Sequence, residues 1–229
     1  MNDHPKHNPR LRQTVIVAVG VLAVGLAVGY ELTMVGLATR EGTEPARREQ
    51  LLRWTGLREH QVSRVETFLH PMRDRTGSGY NAYQSEIAVG SGGVWGKGYG
   101  QGVQHRLGYL PAVVSMNDFI FPVVAEETGF AGALALLALY LGGILAPGLV
   151  IGMRCRDDVG RLLCVGVVTL LFCHVFINIG MTVRIVPITG LPLPFISQGG
   201  TFMLVMMMAM GVLQSVAIHG RTAEAVFRR

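Results

Sequence analysis

The stretch FIFPVVAEETGFAGALALLALYLGGILAPGLVIGM, Phe119–Met153, holds 35 residues and only two charges, Glu126 and Glu127. As one straight helix it would run ~52 Å, far beyond the ~30 Å hydrocarbon core of a bilayer. It therefore divides at Glu126–Gly129, with residues 119–127 expected at the membrane surface and Phe130–Met153 across it. Working outward, two more runs share this character. Leu162–Gly220 carries one charge, Arg184, and Gln13–Thr39 carries one, Glu31. Uncharged apolar runs of about 20 residues cross bilayers as helices, because no water is present there to satisfy an open backbone.

The expected fold is an all-α integral membrane protein with about four transmembrane helices. They cover Thr14–Thr39, Phe130–Met153, Leu162–Val183 and about Gly200–Ile218; Pro187, Pro192 and Pro194 break the chain between the last two. The first run exceeds the 7–15 apolar residues of a signal peptide, so it reads as a retained helix. Basic residues in short loops mark the cytoplasmic side. Lys6, Arg10 and Arg12, the 154–161 loop with Arg154, Arg156 and Arg161, and the end with Arg221, Arg228 and Arg229 all fall there. Both termini are then inside and residues 40–117 outside. Ten Lys and Arg against seven acids in that segment do not reverse the orientation, because loops beyond about 60 residues escape the rule.

Three regions follow: a tail and first helix (1–39), a large extracellular loop with amphipathic helices (40–127), and three membrane helices with a short tail (128–229). Within the loop, EPARREQLLRWTGLREHQVSRVETFL spaces its apolar residues roughly as a helix does, and HPMRDRTGSGYNAYQ reads as a turn-rich link. Only 15% of the chain is charged, against about a quarter in soluble domains, and the mean hydropathy is +0.39. The net charge of +5 needs no nucleic-acid partner, since the basic residues sit in loops and tails. Cys155, Cys164 and Cys173 lack metal-binding or disulfide spacing and read as small packing residues.

Chemistry concentrates before the long apolar run. Asp118, in SMNDFIF, sits where a polar loop meets the bilayer. Partial desolvation there would raise a carboxylate toward the range of a general base; the plainer reading is an Asx cap on the next helix. Gly90–Gly102, GSGGVWGKGYGQG, offers amides for an anion nest with Lys97 beside them, or simply a tight loop that needs positive φ. Lys97, His105 and Arg106 suit a pyrophosphate. Glu126 and Glu127 suit a divalent ion or an orienting contact to Lys97, or else a helix N-terminus. His174 and Asn178 share one face of the third span, where interhelical hydrogen bonding is the modest explanation. Arg184 is expected to reach the headgroups.

These residues also resemble a known family. YQSEIAVGSGGVWGKG (Tyr83–Gly98), YLP followed by DFIF and AEE (Tyr109–Glu127), NIGM (Asn178–Met181) and PITGLPLPFISQGG (Pro187–Gly200) are similar to the C-terminal half of SEDS proteins, the RodA/FtsW/SpoVE group. The resemblance covers about Phe68–Ile218 and leans toward RodA. It implies a glycosyltransferase of the bacterial cytoplasmic membrane that polymerises lipid II into peptidoglycan glycan strands, in elongation or division, beside a class B penicillin-binding protein. Asp118 matches the family's essential aspartate, the general base. Lys97, Gln104 and Arg106, with Glu126 and Glu127, are the implied substrate contacts, and a divalent metal (Mg or Mn) is an implied alternative for the leaving pyrophosphate.

The departures from the family are specific. The first half, with its own spans, is missing, so the chain reads as a fragment or a divergent half-protein. AVVSMN (Ala112–Asn117) is about two residues longer than the usual link, Arg184 replaces a common glycine, and Gln198 replaces a common tyrosine. The alternative is a non-catalytic scaffold that binds cell-wall synthesis partners. Lipid transport is weaker, for lack of a polar pathway.

Overall fold

The computed structural model describes residues 59–69, 78–107, 116–155 and 157–226, and among these all regular structure is helical. The expected first span, Thr14–Thr39, lies outside the described residues. The chain divides into two compact units, 1–70 and 71–229. Of the first, the described part is α1 (Glu59–Leu69), on which Val62, Val65 and Phe68 recur at helical spacing.

The second unit begins with α2 (Ser78–Ser91), followed by the glycine loop and a single helical turn, α3 (Val103–Arg106). The expected turn-rich link up to Gln84 is thus helical from Ser78 onward. Ala82, Ser85 and Ala88, spaced three apart, are buried as one face. Packing of that face outweighs the weak helix preference of its Ser and Gly residues.

α4 (Ile120–Ala138), a π-helical segment (Leu139–Leu145) and α5 (Ala146–Arg154) make one run of 35 residues. It is interrupted at Gly129, whose φ of 71° and ψ of −169° are not helical. The 25 residues beyond this break rise about 37 Å, enough to cross a bilayer with some tilt. The part before the break is well covered: Phe119, Phe121, Ala125 and Glu126 are buried within the protein. The π turn has a local cause. Pro147 opens α5 without an N–H to donate, and just before it the Ala146 N–H bonds Leu141 O, five residues back.

α6 (Asp158–Thr182) is capped by Asp157, whose carboxylate accepts from Gly160 N at 2.8 Å. A proline-rich loop (187–199) then leads to α7 (Gly200–Val226). Three helical runs, Ile120–Arg154, Asp158–Thr182 and Gly200–His219, are long and apolar enough to cross a membrane. This is a multi-pass membrane protein. Small residues let the spans approach closely: a Cβ on Gly148 would lie 2.5 Å from Val168, and one on Gly152 3.1 Å from Cys164. The three cysteines are free, with Cys155 and Cys164 buried in packing and Cys173 exposed on its span. One core cluster joins Phe121, Ala125, Tyr140, Val175 and Leu193; a second joins Leu145, Val168, Leu171 and Met206.

Candidate functional site

Two polar clusters flank the start of α4. The first holds the glycine loop. Gly93 and Val94 carbonyls accept from Phe130 N and Ala131 N at 2.9 and 3.0 Å, while Lys97 N and Gly98 N donate to Glu126 O and Glu127 O at 3.0 Å each. The loop thus supplies partners to the helix at its break, where the regular ladder is interrupted. So close an approach needs glycine. A Cβ on Gly96 (φ 78°) would stand 2.1 Å from Glu127 O, and one on Gly129 2.2 Å from Gly96 N.

At the centre of this cluster Lys97 Nζ lies 2.6 Å from Glu126 Oε1 and 2.7 Å from Ser91 Oγ. The same Oε1 accepts from Val103 N at 2.8 Å. Glu126 is fully buried, so a carboxylate there requires this compensation. Among the roles considered for Glu126, the contact to Lys97 is formed. Glu127 is half-buried, with its side chain close to Gly102. Arg106 is exposed, and Gln104 lies in the same turn with its side chain outside what the structure describes.

The second cluster surrounds Asp118, eight residues before Glu126 in the chain. Phe119, not Asp118, occupies the N-cap position of α4, with no side-chain cap bond. Asp118 is half-buried. Its carbonyl accepts from Asn178 Nδ2 at 2.8 Å, and the same amide group donates to Leu191 O at 2.7 Å. Met116 O accepts from Gln198 N at 3.0 Å. Gly190, at φ 71°, comes so near that a Cβ would be 3.2 Å from Asp118 Oδ2. The 187–199 loop is braced in turn. Ser197 Oγ accepts from Leu193 N at 2.7 Å, and the Tyr140 hydroxyl donates to Pro194 O.

The expected sites therefore fall into two groups: Lys97, Glu126 and Glu127 at the glycine loop, and Asp118 against α6 and the proline loop. Arg184 departs from its expected headgroup role. Its Nη1 pairs with Glu86 Oε2 at 2.9 Å, tying the end of α6 to α2, and Ser85 Oγ donates to Thr182 O at 3.0 Å beside it. The roles of Gly190 and Glu86 are not legible in sequence, since each is a contact between segments far apart in the chain; that of Ser91 depends on how the glycine loop folds Lys97 back over six residues. The sequence marks Asn178 as a polar residue within a span; its burial and its partners come from the fold. Among the described residues no group of three His, Cys, Asp or Glu side chains converges as a metal site, and Glu126 is engaged by Lys97. The expected metal thus finds no ready ligand set among them.

Comparison with known proteins covers nearly the whole chain. The profile of the FtsW/RodA/SpoVE family, described as cell cycle protein, matches residues 7–222, beginning well before about Phe68, where the resemblance read from the motifs starts. Peptidoglycan glycosyltransferase MrdB of Escherichia coli (strain K12) is 39% identical over 211 residues, 92% of this chain and 55% of that protein. Probable peptidoglycan glycosyltransferase FtsW of Synechocystis sp. is 38% identical over 224 residues, 95% of this chain and 53% of that protein. A solved chain, from work on the structural coordination of polymerization and crosslinking by a peptidoglycan synthase complex, superposes with a TM-score of 0.55 at 25% identity. That match covers 85% of this chain and 55% of the other. The chain spans about half the length of the curated relatives it matches. It belongs to the FtsW/RodA/SpoVE family.

Proposed function

We propose that this chain carries the base-bearing portion of a peptidoglycan glycosyltransferase that polymerises lipid II into glycan strands. The proposed location is the bacterial cytoplasmic membrane, with the glycine loop and Asp118 on its outer side. The observation that carries this reading is the setting of Asp118: a carboxylate at the start of a membrane helix, held through its main chain by Asn178 and bordered by Gly190. Family membership and relatives named as glycosyltransferases support it.

In the proposed mechanism the Asp118 carboxylate takes the proton from the 4-hydroxyl of the acceptor sugar. That oxygen attacks the anomeric carbon of the donor, and the bond from this carbon to the lipid pyrophosphate breaks, its electron pair leaving with the phosphate. Attack opposite the leaving group converts an α-linked pyrophosphate into a β-1,4 link. Charge grows on the pyrophosphate, and cationic groups stabilise it best in a site shielded from water. Arg106 is exposed and available for this role; Lys97, 28% exposed, can offer only the charge left over from Glu126. A class B penicillin-binding protein is the proposed partner, in keeping with the synthase complex to which the fold is similar.

The test is polymerisation of lipid II by the purified chain and its Asp118→Asn variant, each with and without the transpeptidase. The parent should make glycan, and the variant should lose at least ~10²-fold in rate while inserting normally. Equal rates would reject Asp118 as the base. Undiminished transpeptidase binding by both, with no glycan from either, would favour the scaffold reading, which the half-length coverage of relatives keeps relevant.

A further inference from the structure

We infer that Asn178 is a positioning residue for Asp118, acting through the main chain rather than through the carboxylate; the inference rests on the reading of Asp118 as the base. Asn178 lies in α6 and is fully buried. Its Nδ2 joins two segments 60 and 13 residues away in sequence, the turn at Asp118 and the loop at Leu191. Both partners are carbonyl oxygens, so the amide must present its NH₂ group there, and its orientation follows from chemistry. The opposite end of the side chain, Oδ1, is buried without a partner. A buried unpaired carbonyl is costly, so packing alone does not account for asparagine here. What the residue supplies is two donors directed at two chain segments.

The consequence falls on the carboxylate. With its carbonyl held at 2.8 Å and the preceding Met116 O held by Gln198 N at 3.0 Å, the turn has little freedom to rotate. Gly190 stands against Oδ2 on one side, and any side chain there would press on the carboxylate. Phe195, at φ 64°, shows that the loop keeps a left-handed, non-glycine conformation, held by Ser197 and Tyr140. Asn178 thus couples a stiff loop to the base. Small misplacements of a catalytic group can cost ~10²-fold in rate, which makes two hydrogen bonds to the main chain a sufficient control.

The experiment uses the full chain, with lipid II as probe, in two variants. Asn178→Ala removes both donors; Asn178→Asp keeps the shape and, when protonated, one donor. Folded protein should show kcat reduced ~10- to 100-fold for Asn178→Ala and less for Asn178→Asp, with KM for lipid II within about threefold. A second readout does not depend on activity. In a background without native cysteines, Met116→Cys and Gln198→Cys are joined by a short bis-thiosulfonate reagent, which reports docking of the loop on the aspartate turn. Asn178→Ala should slow that crosslinking severalfold. Slowed crosslinking with unchanged kcat overturns the positioning role, and so does unchanged crosslinking. A parent chain that makes no glycan would reject the proposed function instead; crosslinking that still depends on Asn178 would then uphold the docking of the turn.

Discussion

Lys97 and Glu126 bring a cation and an anion together beside a membrane helix, and their burial is unequal. Glu126 is fully covered, whereas Lys97 keeps 28% of its side chain exposed. The two ends should therefore respond differently to mutation. Lys97→Met would strand a buried carboxylate and cost on the order of 3 kcal/mol, whereas Glu126→Gln leaves a lysine that can turn to water and keeps an acceptor for Val103 N, so it should cost about half as much. The double variant should recover part of the Lys97→Met loss. Thermal unfolding in detergent measures all three, and equal losses for the two single variants would contradict this account. The residue types were legible in sequence, with Lys97 and Glu126 singled out together. Their 2.6 Å contact was not, because nothing local specifies which of several acids meets the lysine.

At the scale of elements, the glycine loop and the break in α4 form one device. Gly96 combines a positive φ with a backbone oxygen where its Cβ would be, whereas Gly90, at the end of α2, has nothing within 4 Å of that position. The same chemical change should then have opposite signs. Gly96→Ala is expected to cost at least ~2 kcal/mol and to loosen the loop toward proteases, while Gly90→Ala in a helix should be neutral or stabilising by up to ~1 kcal/mol. Limited proteolysis with thermal unfolding separates the two. The π segment makes a second such device. Its Tyr140 is buried, and its hydroxyl braces the loop that borders Asp118. Tyr140→Phe should lower stability by about 1 kcal/mol and, under the proposed function, also slow lipid II polymerisation, the second effect distinguishing a loop brace from mere packing.

For the whole molecule, the candidate spans bury only 11–28% of their most apolar windows within the described protein. Leu134, Leu149, Leu162, Phe172, Phe176, Leu204 and Met208 are among the large apolar residues left outside. Such surface belongs in contact with lipid or with further protein, since water would make it an aggregation site. The chain should accordingly stay with membranes through an alkaline carbonate wash and be released only by detergent. Release into the wash would contradict the assignment of membrane spans.

Hydropathy by itself determined the membrane class, the three described spans and the need for a break near Gly129. These follow from charge-free length and from the thickness of a bilayer, which act on the chain locally. The short motifs, through their order and spacing, determined the family and drew attention to Asp118. Only the tertiary structure decided what surrounds that aspartate. Asn178 and Gly190 reach it, and Gln198 reaches Met116 in the same turn, from segments 60 residues or more away. The tertiary structure also gave Arg184, expected at the headgroups, Glu86 as a partner, and made residues 78–84 of a turn-rich link the first part of α2. The physical reason is common to all of these. A buried donor or charge must find a partner, and the partner is whichever group packing brings within about 3 Å, regardless of distance along the chain.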